Sequence, residues 1–293
     1  MGRTHEHAPA TAFGLGPLPG TDLVAAADIV LSESPLPHIP QLPERGLGFD
    51  AVGRTAALLD IPIDRGPRGW RVVPRRGALE RYRDQIQRDL DVVEGLWAGH
   101  TERVKVQVVG PWTLAAEVEM RNGHRMITDP GALRDLTDAL LGAVEEHRSD
   151  MARRVAPTVL QLDEPRLADV VAGTVPGTTR YETVRAYPEP AERLALFGDF
   201  LLHAPLLIDV PWQTADLAQL TTAADRDHVA SLLENGSRLA IAPVEPTRLW
   251  RYFDELQLDP ALAQLDVWAR PAATLAASAA NYAAAREMAD GLA

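Results

Sequence analysis

Apolar positions along the chain concentrate in short strand-length segments, separated by longer stretches in which they recur at helical spacing. Val104 to Val109 and Thr158 to Asp163 are two such segments; the first leads into Gly110-Pro111-Trp112-Thr113 and the second into Glu164-Pro165. A short, largely apolar segment of this kind fits a buried strand of a parallel sheet that delivers polar groups at its C-terminal end. Ala12 to Gly16, His38 to Leu42, Phe200 to His203, Asp216 to Leu220, Arg238 to Val244 and Leu265 to Ala269 are further predicted strands. Between them the period changes. Leu79, Tyr82, Ile86, Leu90, Val93 and Trp97 recur every three or four residues, which predicts a helix over 78–97 with one buried face.

Other predicted helices cover 22–31 with Thr21 as N-cap, 50–59, a short stretch from Thr113, 225–234 stopped by Asn235-Gly236, 247–256 and 272–292. Thr128-Asp129-Pro130 opens one more, reaching about Val155, because a proline's missing amide costs nothing in the first helical turn. Ile61 to Val73 reads as a polar hairpin turning at Arg65-Gly66-Pro67-Arg68-Gly69. The alternation of strand and helix predicts an α/β fold, a single-domain (β/α)8 TIM-type barrel over 12–293. A flexible segment, 1–11, precedes it, and the hairpin with its long helix is inserted near residues 61–97.

Composition narrows the chemistry. The 293 residues are 46% apolar, enough for a large core, and carry a formal net charge of -12. Such a charge speaks against nucleic acid and anionic membranes as partners, since both need a positive field. No run is long enough to cross a bilayer, and Met1 to Ala12 lacks the apolar centre of a secretory signal. The expectation is a soluble cytoplasmic protein with a small-molecule ligand. Cysteine is absent, which removes disulfides, thiolate nucleophiles and thiolate metal ligands. No glycine-rich phosphate loop and no Gly-x-Ser-x-Gly elbow occurs.

Parallel barrels place their chemistry at the C-terminal ends of the strands. Asp163 and Glu164 sit at such an end and point opposite ways on a regular strand, so one of them faces the barrel mouth. The bland alternative is a carboxylate capping the helix that begins near Arg166. Gly110, Pro111, Trp112 and Thr113 either line a flat pocket or make a strand-to-helix turn, with Thr113 as N-cap and Trp112 in the core. His203 ends a strand, whereas His124 fits a pocket or a solvated turn equally. Arg65, Arg68, Arg71, Arg75, Arg76, Arg81 and Arg83 concentrate positive charge, either as a solvated face or as an attractor for an acidic ligand.

Four pieces in this order carry a resemblance that covers the chain from about Phe13. They are Gly14-Leu15-Gly16-Pro17-Leu18-Pro19-Gly20-Thr21, Val104 through Ala115, Asn122 through Ala132, and Gln161-Leu162-Asp163-Glu164-Pro165. Together they resemble short actinobacterial relatives of the C-terminal catalytic barrel of cobalamin-independent methionine synthase. The resemblance implies a barrel of the uroporphyrinogen decarboxylase and methionine synthase superfamily, and methyl transfer from methyltetrahydrofolate to homocysteine. It implies a reduced folate as methyl donor, Asp163 against the substrate amino group, and a zinc ion held by a His, an acid and two Cys. His203, in Phe200-Leu201-Leu202-His203-Ala204-Pro205, corresponds to that histidine.

The chain departs from the family where the metal should sit. No cysteine follows His203, the last strand Val267-Trp268-Ala269-Arg270 has none, and the stretch expected to hold the acid, near Asp216 to Thr222, is shortened. Asp209, six residues past His203, is the acid left nearby. Pro17 stands where the family has a substrate-facing serine. The expectation is therefore a methionine-synthase-like protein with a degenerate zinc site and no bound metal. Two alternatives stand beside it: a non-catalytic or repurposed barrel that binds a small ligand or partner, and a metal-free lyase of the uroporphyrinogen decarboxylase type.

Overall fold

The computed structural model describes residues 10–75, 77, 79–179, 181–259 and 263–292. Residues 1–9 of the segment read as flexible, and Arg76 of the basic stretch, lie outside the described residues.

The chain alternates strand and helix. Its first part contains β1 (Ala12–Gly14), α1 (Leu23–Glu33), α2 (Ala51–Leu58), β2 (Ile63–Gly66), β3 (Gly69–Val72) and α3 (Leu79–Trp97). The middle contains β4 (Val104–Val109), α4 (Pro111–Glu117), β5 (Val118–Glu119), α5 (Pro130–Arg154), β6 (Thr158–Asp163), α6 (Leu167–Ala172) and α7 (Ala191–Leu194). The last part contains β7 (Leu201–His203), β8 (Trp212–Ala215), α8 (Ala223–Glu234), β9 (Arg238–Ile241), α9 (Pro246–Leu256), β10 (Gln264–Ala269) and α10 (Leu275–Asp290). Among the described residues no helix is long and apolar enough to cross a membrane.

Seven strands form one curled, all-parallel sheet in the order β1-β10-β9-β8-β7-β6-β4. The segment from Pro37 to Gln41 is bonded to both of its edges. Ile39 N–H donates to the Lys105 carbonyl at 3.0 Å, and Lys105 N–H to that of Pro37 at 2.7 Å. On the other side, Gln41 N–H donates to the Gly16 carbonyl at 3.0 Å, and Leu18 N–H to that of Gln41 at 2.8 Å. The strand expected over 38–42 is thus present as isolated parallel bridges, His38 with Lys105 and Gln41 with Pro17. Pro37 and Pro40 explain this, because neither has an amide to extend a ladder.

Both faces of the sheet are covered, and all six residues of β4 are buried. Val104, Val106, Val108, Leu160, Leu162 and Leu202 join the core shared with the helices. Phe13, Leu15, Leu201, Ala240, Ala242 and Trp268 form a separate cluster on the inner face. The hairpin of β2 and β3 was expected; its pairing with β5 into a small second sheet was not. Two expectations are corrected. The strand sought at 216–220 lies at Trp212–Ala215, and the cap of α1 is Asp22, whose carboxylate accepts from Ala25 N–H at 3.1 Å.

His38 gives this frame a pH dependence. The ring is fully buried, and Nε2 lies 2.7 Å from the Tyr282 hydroxyl on α10. Burial, then the Lys105 charge, lowers its pKa from 6.5 to about 3. Because the folded value lies below the unfolded one, the stability at stake is complete above pH 6.5. It drains away as pH falls toward 3, at about 1.4 kcal/mol per pH unit. His38→Gln is therefore expected to unfold in urea with a shallower acid slope between pH 6 and 4 than the parent. Parallel slopes would disprove the assignment.

Candidate ligand site on the inner face of the sheet

Register brings the candidate residues together in layers. Val109, Asp163 and His203 are neighbours across β4, β6 and β7 at the C-terminal end of the sheet. One layer down lie Gln107, Gln161 and Leu201, and below them Lys105 beside Val159. Alternation along a strand puts Lys105, Gln107, Gln161, Asp163 and His203 on the same inner face.

A polar line runs up that face. The Lys105 ammonium donates to Gln161 Oε1 and stands 5.1 Å from the centre of the Phe13 ring. Gln161 Nε2 donates to the Leu15 carbonyl at 2.8 Å and to Asp163 Oδ1 at 2.6 Å. Burial lowers the Lys105 pKa and raises that of Asp163, drawing both groups toward their neutral forms, while their mutual attraction opposes this. His203 Nδ1 lies 2.9 Å from Thr214 Oγ1 on β8, and its ring centre 6.3 Å from that of Trp268. Burial, then the Lys105 charge, lowers the His203 pKa to about 4, so the imidazole is neutral at neutral pH. Arg270 stacks over Trp268 at 5.6 Å and clasps Asp216 with two bonds of 3.0 and 3.1 Å.

Glu164 faces the other way. It is completely buried, and its carboxylate accepts from Trp112 N–H at 2.9 Å and Thr113 N–H at 2.7 Å. It therefore caps α4, an element far away in sequence, and not the helix beginning near Arg166. Gly110 permits the approach, since a Cβ there would run into Glu164 Oε1. Thr113 Oγ1 in turn accepts from Arg166 N–H at 3.1 Å. Trp112 packs in the outer core, 4.8 Å from the Tyr187 ring, and donates from Nε1 to the Pro190 carbonyl at 3.1 Å.

Of the seven candidate residues, Asp163 and His203 thus meet on the inner face. Gly110, Pro111, Trp112, Thr113 and Glu164 form a sealed junction behind it. His124 is exposed, with Nδ1 2.6 Å from Glu182 Oε1. Much of the basic stretch is committed to structure: Arg68 clasps Glu119 at 2.8 and 3.0 Å, and Arg83 holds the Ala57 and Leu59 carbonyls.

The residues present do not fit the zinc ion that the resemblance implies. Zinc takes three or four nitrogen, sulfur or carboxylate ligands in a tetrahedral set. Among the described residues no group of three or more His, Asp or Glu is gathered to hold a metal. Asp209 lies 3.4 Å from His228, and Asp216 is engaged by Arg270. Comparison of the chain with known protein families and with curated proteins finds no match.

Lys105, Gln107 and Gln161 were passed over in the sequence because each sits inside an apolar run. The signal was there. In Val104-Lys105-Val106-Gln107-Val108 every second residue is polar, as expected of a strand with a polar inner face.

Proposed function

We propose that the protein is a repurposed methionine-synthase-like barrel, with the segment 37–41 as its eighth stave, that binds a small amino-acid-like molecule. The site lies on the inner face at the C-terminal ends of β4, β6 and β7. The observation that carries this reading is the pairing of Asp163 with His203 at one register position, above the Lys105–Gln161 line. Asp163 would hold the ligand's ammonium group, as the resemblance implies. The neutral His203, tethered through Nδ1 to Thr214, would offer Nε2 as an acceptor or base.

Binding, rather than methyl transfer from a reduced folate, is the function assigned. A thiol is a poor nucleophile at neutral pH and needs a cationic or metal partner to hold its thiolate. Calorimetry with homocysteine, methionine, methyltetrahydrofolate and a porphyrinogen tests the reading. An α-amino acid should bind, and Asp163→Asn should weaken it by about tenfold or more, the cost of a charge-assisted hydrogen bond. Equal affinity in the variant would remove Asp163 from the site. Stoichiometric zinc with methyl transfer to homocysteine would replace the whole reading.

A further inference from the structure

A cleft remote from the inner face opens among the outer helices, between α2, α3 and α5. Its volume is about 630 Å3, and Ala57, Leu58, Ile86 and Ala143 give it an apolar lining. That volume suits a small organic molecule. Along α5 the charges at its edge answer one another. Asp150 accepts from Arg153 at 3.0 Å and from Arg154 at 2.8 Å, and Arg154 also reaches Asp91 and Glu94. Asp60 and Glu146 are exposed at the mouth, where solvent screens them.

Arg54 is not answered in this way. It stands three and four residues before Ala57 and Leu58 on α2, and so on the same helix face. Its charge acts on His147, which lines the cleft from α5. The guanidinium is half-buried and, among the described residues, donates no hydrogen bond, yet its nitrogens keep contact with solvent. Asp89, the acid whose charge reaches it, is already held by Arg45 at 2.5 Å and Gln85 at 3.1 Å. Burial lowers the Arg54 pKa to about 10, which still leaves the group charged at neutral pH. The half-buried His147 ring also has no hydrogen-bond partner among the described residues. Burial, then the Arg54 charge, lowers its pKa to about 4, so it is a neutral imidazole with one N–H to donate. Holding a charge partly out of water without an acceptor is costly, which points to an acceptor from outside the chain.

We propose that this cleft binds the phosphoryl group of a small organic phosphate, with Arg54 and His147 as its donors. The two groups approach from different helices, which suits a tetrahedral oxyanion with oxygens in several directions. A planar carboxylate would satisfy the Arg54 fork alone. Arg83 adds to the positive field: its Nε and Nη2 hold the Ala57 and Leu59 carbonyls, and Nη1 is left without a partner among the described residues. The apolar lining receives the organic part. This site is independent of the ligand on the inner face.

Isothermal titration of the full chain with inorganic phosphate, phenyl phosphate and benzoate tests it. Phenyl phosphate should bind about tenfold or more tighter than inorganic phosphate, through the apolar lining, and also tighter than benzoate. Arg54→Met should weaken phenyl phosphate by about tenfold or more, the worth of a charge-assisted hydrogen bond. His147→Leu should weaken it by about threefold to tenfold, as for a neutral donor. Arg248→Met, which removes an exposed arginine on α9, should bind like the parent. Should Arg54→Met fail to fold, Arg54→Lys keeps the charge, loses the fork and should still weaken binding several-fold. No binding of either phosphate, unchanged binding in the Arg54 variants, or an equal loss in Arg248→Met overturns the site. Benzoate binding as tightly as phenyl phosphate overturns the phosphoryl assignment. Equal affinity for the two phosphates overturns the role of the apolar lining.

Discussion

Glu164→Ala is expected to destabilise the protein by about 3–5 kcal/mol, read as the shift in urea unfolding midpoint. The side chain is wholly buried and satisfies the first amides of α4 from the end of β6. Removing it leaves Trp112 N–H and Thr113 N–H without an acceptor in a place water does not reach, and opens a cavity against Gly110. Glu164→Gln should cost about half as much, because one oxygen still accepts while the new NH2 opposes the other amide.

The same residue carries a pH signature. Burial pushes its pKa from 4.5 to about 7, against the pull of the Thr113 hydroxyl and the two amides. A folded value above the unfolded one means a contribution complete below pH 4.5 and lost as pH rises through 7. The stability gap between parent and Glu164→Gln should therefore be wider at pH 5 than at pH 8. A gap independent of pH would show that the carboxyl keeps one charge state throughout.

Arg238→Ala should be comparably damaging, at about 3–5 kcal/mol, whereas Asp266→Ala should cost about 1–3 kcal/mol. The asymmetry follows from burial. Asp266 accepts two bonds of 2.5 Å from Arg238 and one of 2.9 Å from Thr11 N–H, and its side chain is entirely buried. The Arg238 side chain is 21% exposed. Without the arginine a carboxylate is stranded inside the protein; without the aspartate the guanidinium can turn toward solvent. Both residues lie toward the N-terminal ends of β9 and β10, away from the ligand-site end, so ligand affinity should be unchanged. Equal losses from the two single variants would contradict this account.

Elements whose apolar pattern matches their burial were legible in the sequence. The strands at 104–109 and 158–163 are covered on both faces, and the helix at 130 is announced by Asp129-Pro130, whose carboxylate accepts from Gly131 and Ala132 N–H. Trp212–Ala215 was misplaced because Gln213 and Thr214 put polar groups into a four-residue strand, and burial of polar side chains leaves no apolar trace. The opposite orientations of Asp163 and Glu164 followed from strand alternation. The partner of Glu164 did not, because α4 is reached across neighbouring strands rather than along the chain. Gln107 alternates with Lys105 along β4, but that alternation announces neither its burial nor its lack of a partner among the described residues.

β1 finds its neighbour within the sheet far along the chain, with Ala12 opposite Val267 and Thr11 N–H bonded to Asp266 across 255 residues. During synthesis Phe13 and Leu15 can meet Leu36 early, but their contact with Trp268 waits until β10 has been made. A nascent chain halted short of β10 is a set of staves without its closing hoop, and a natural client for chaperones.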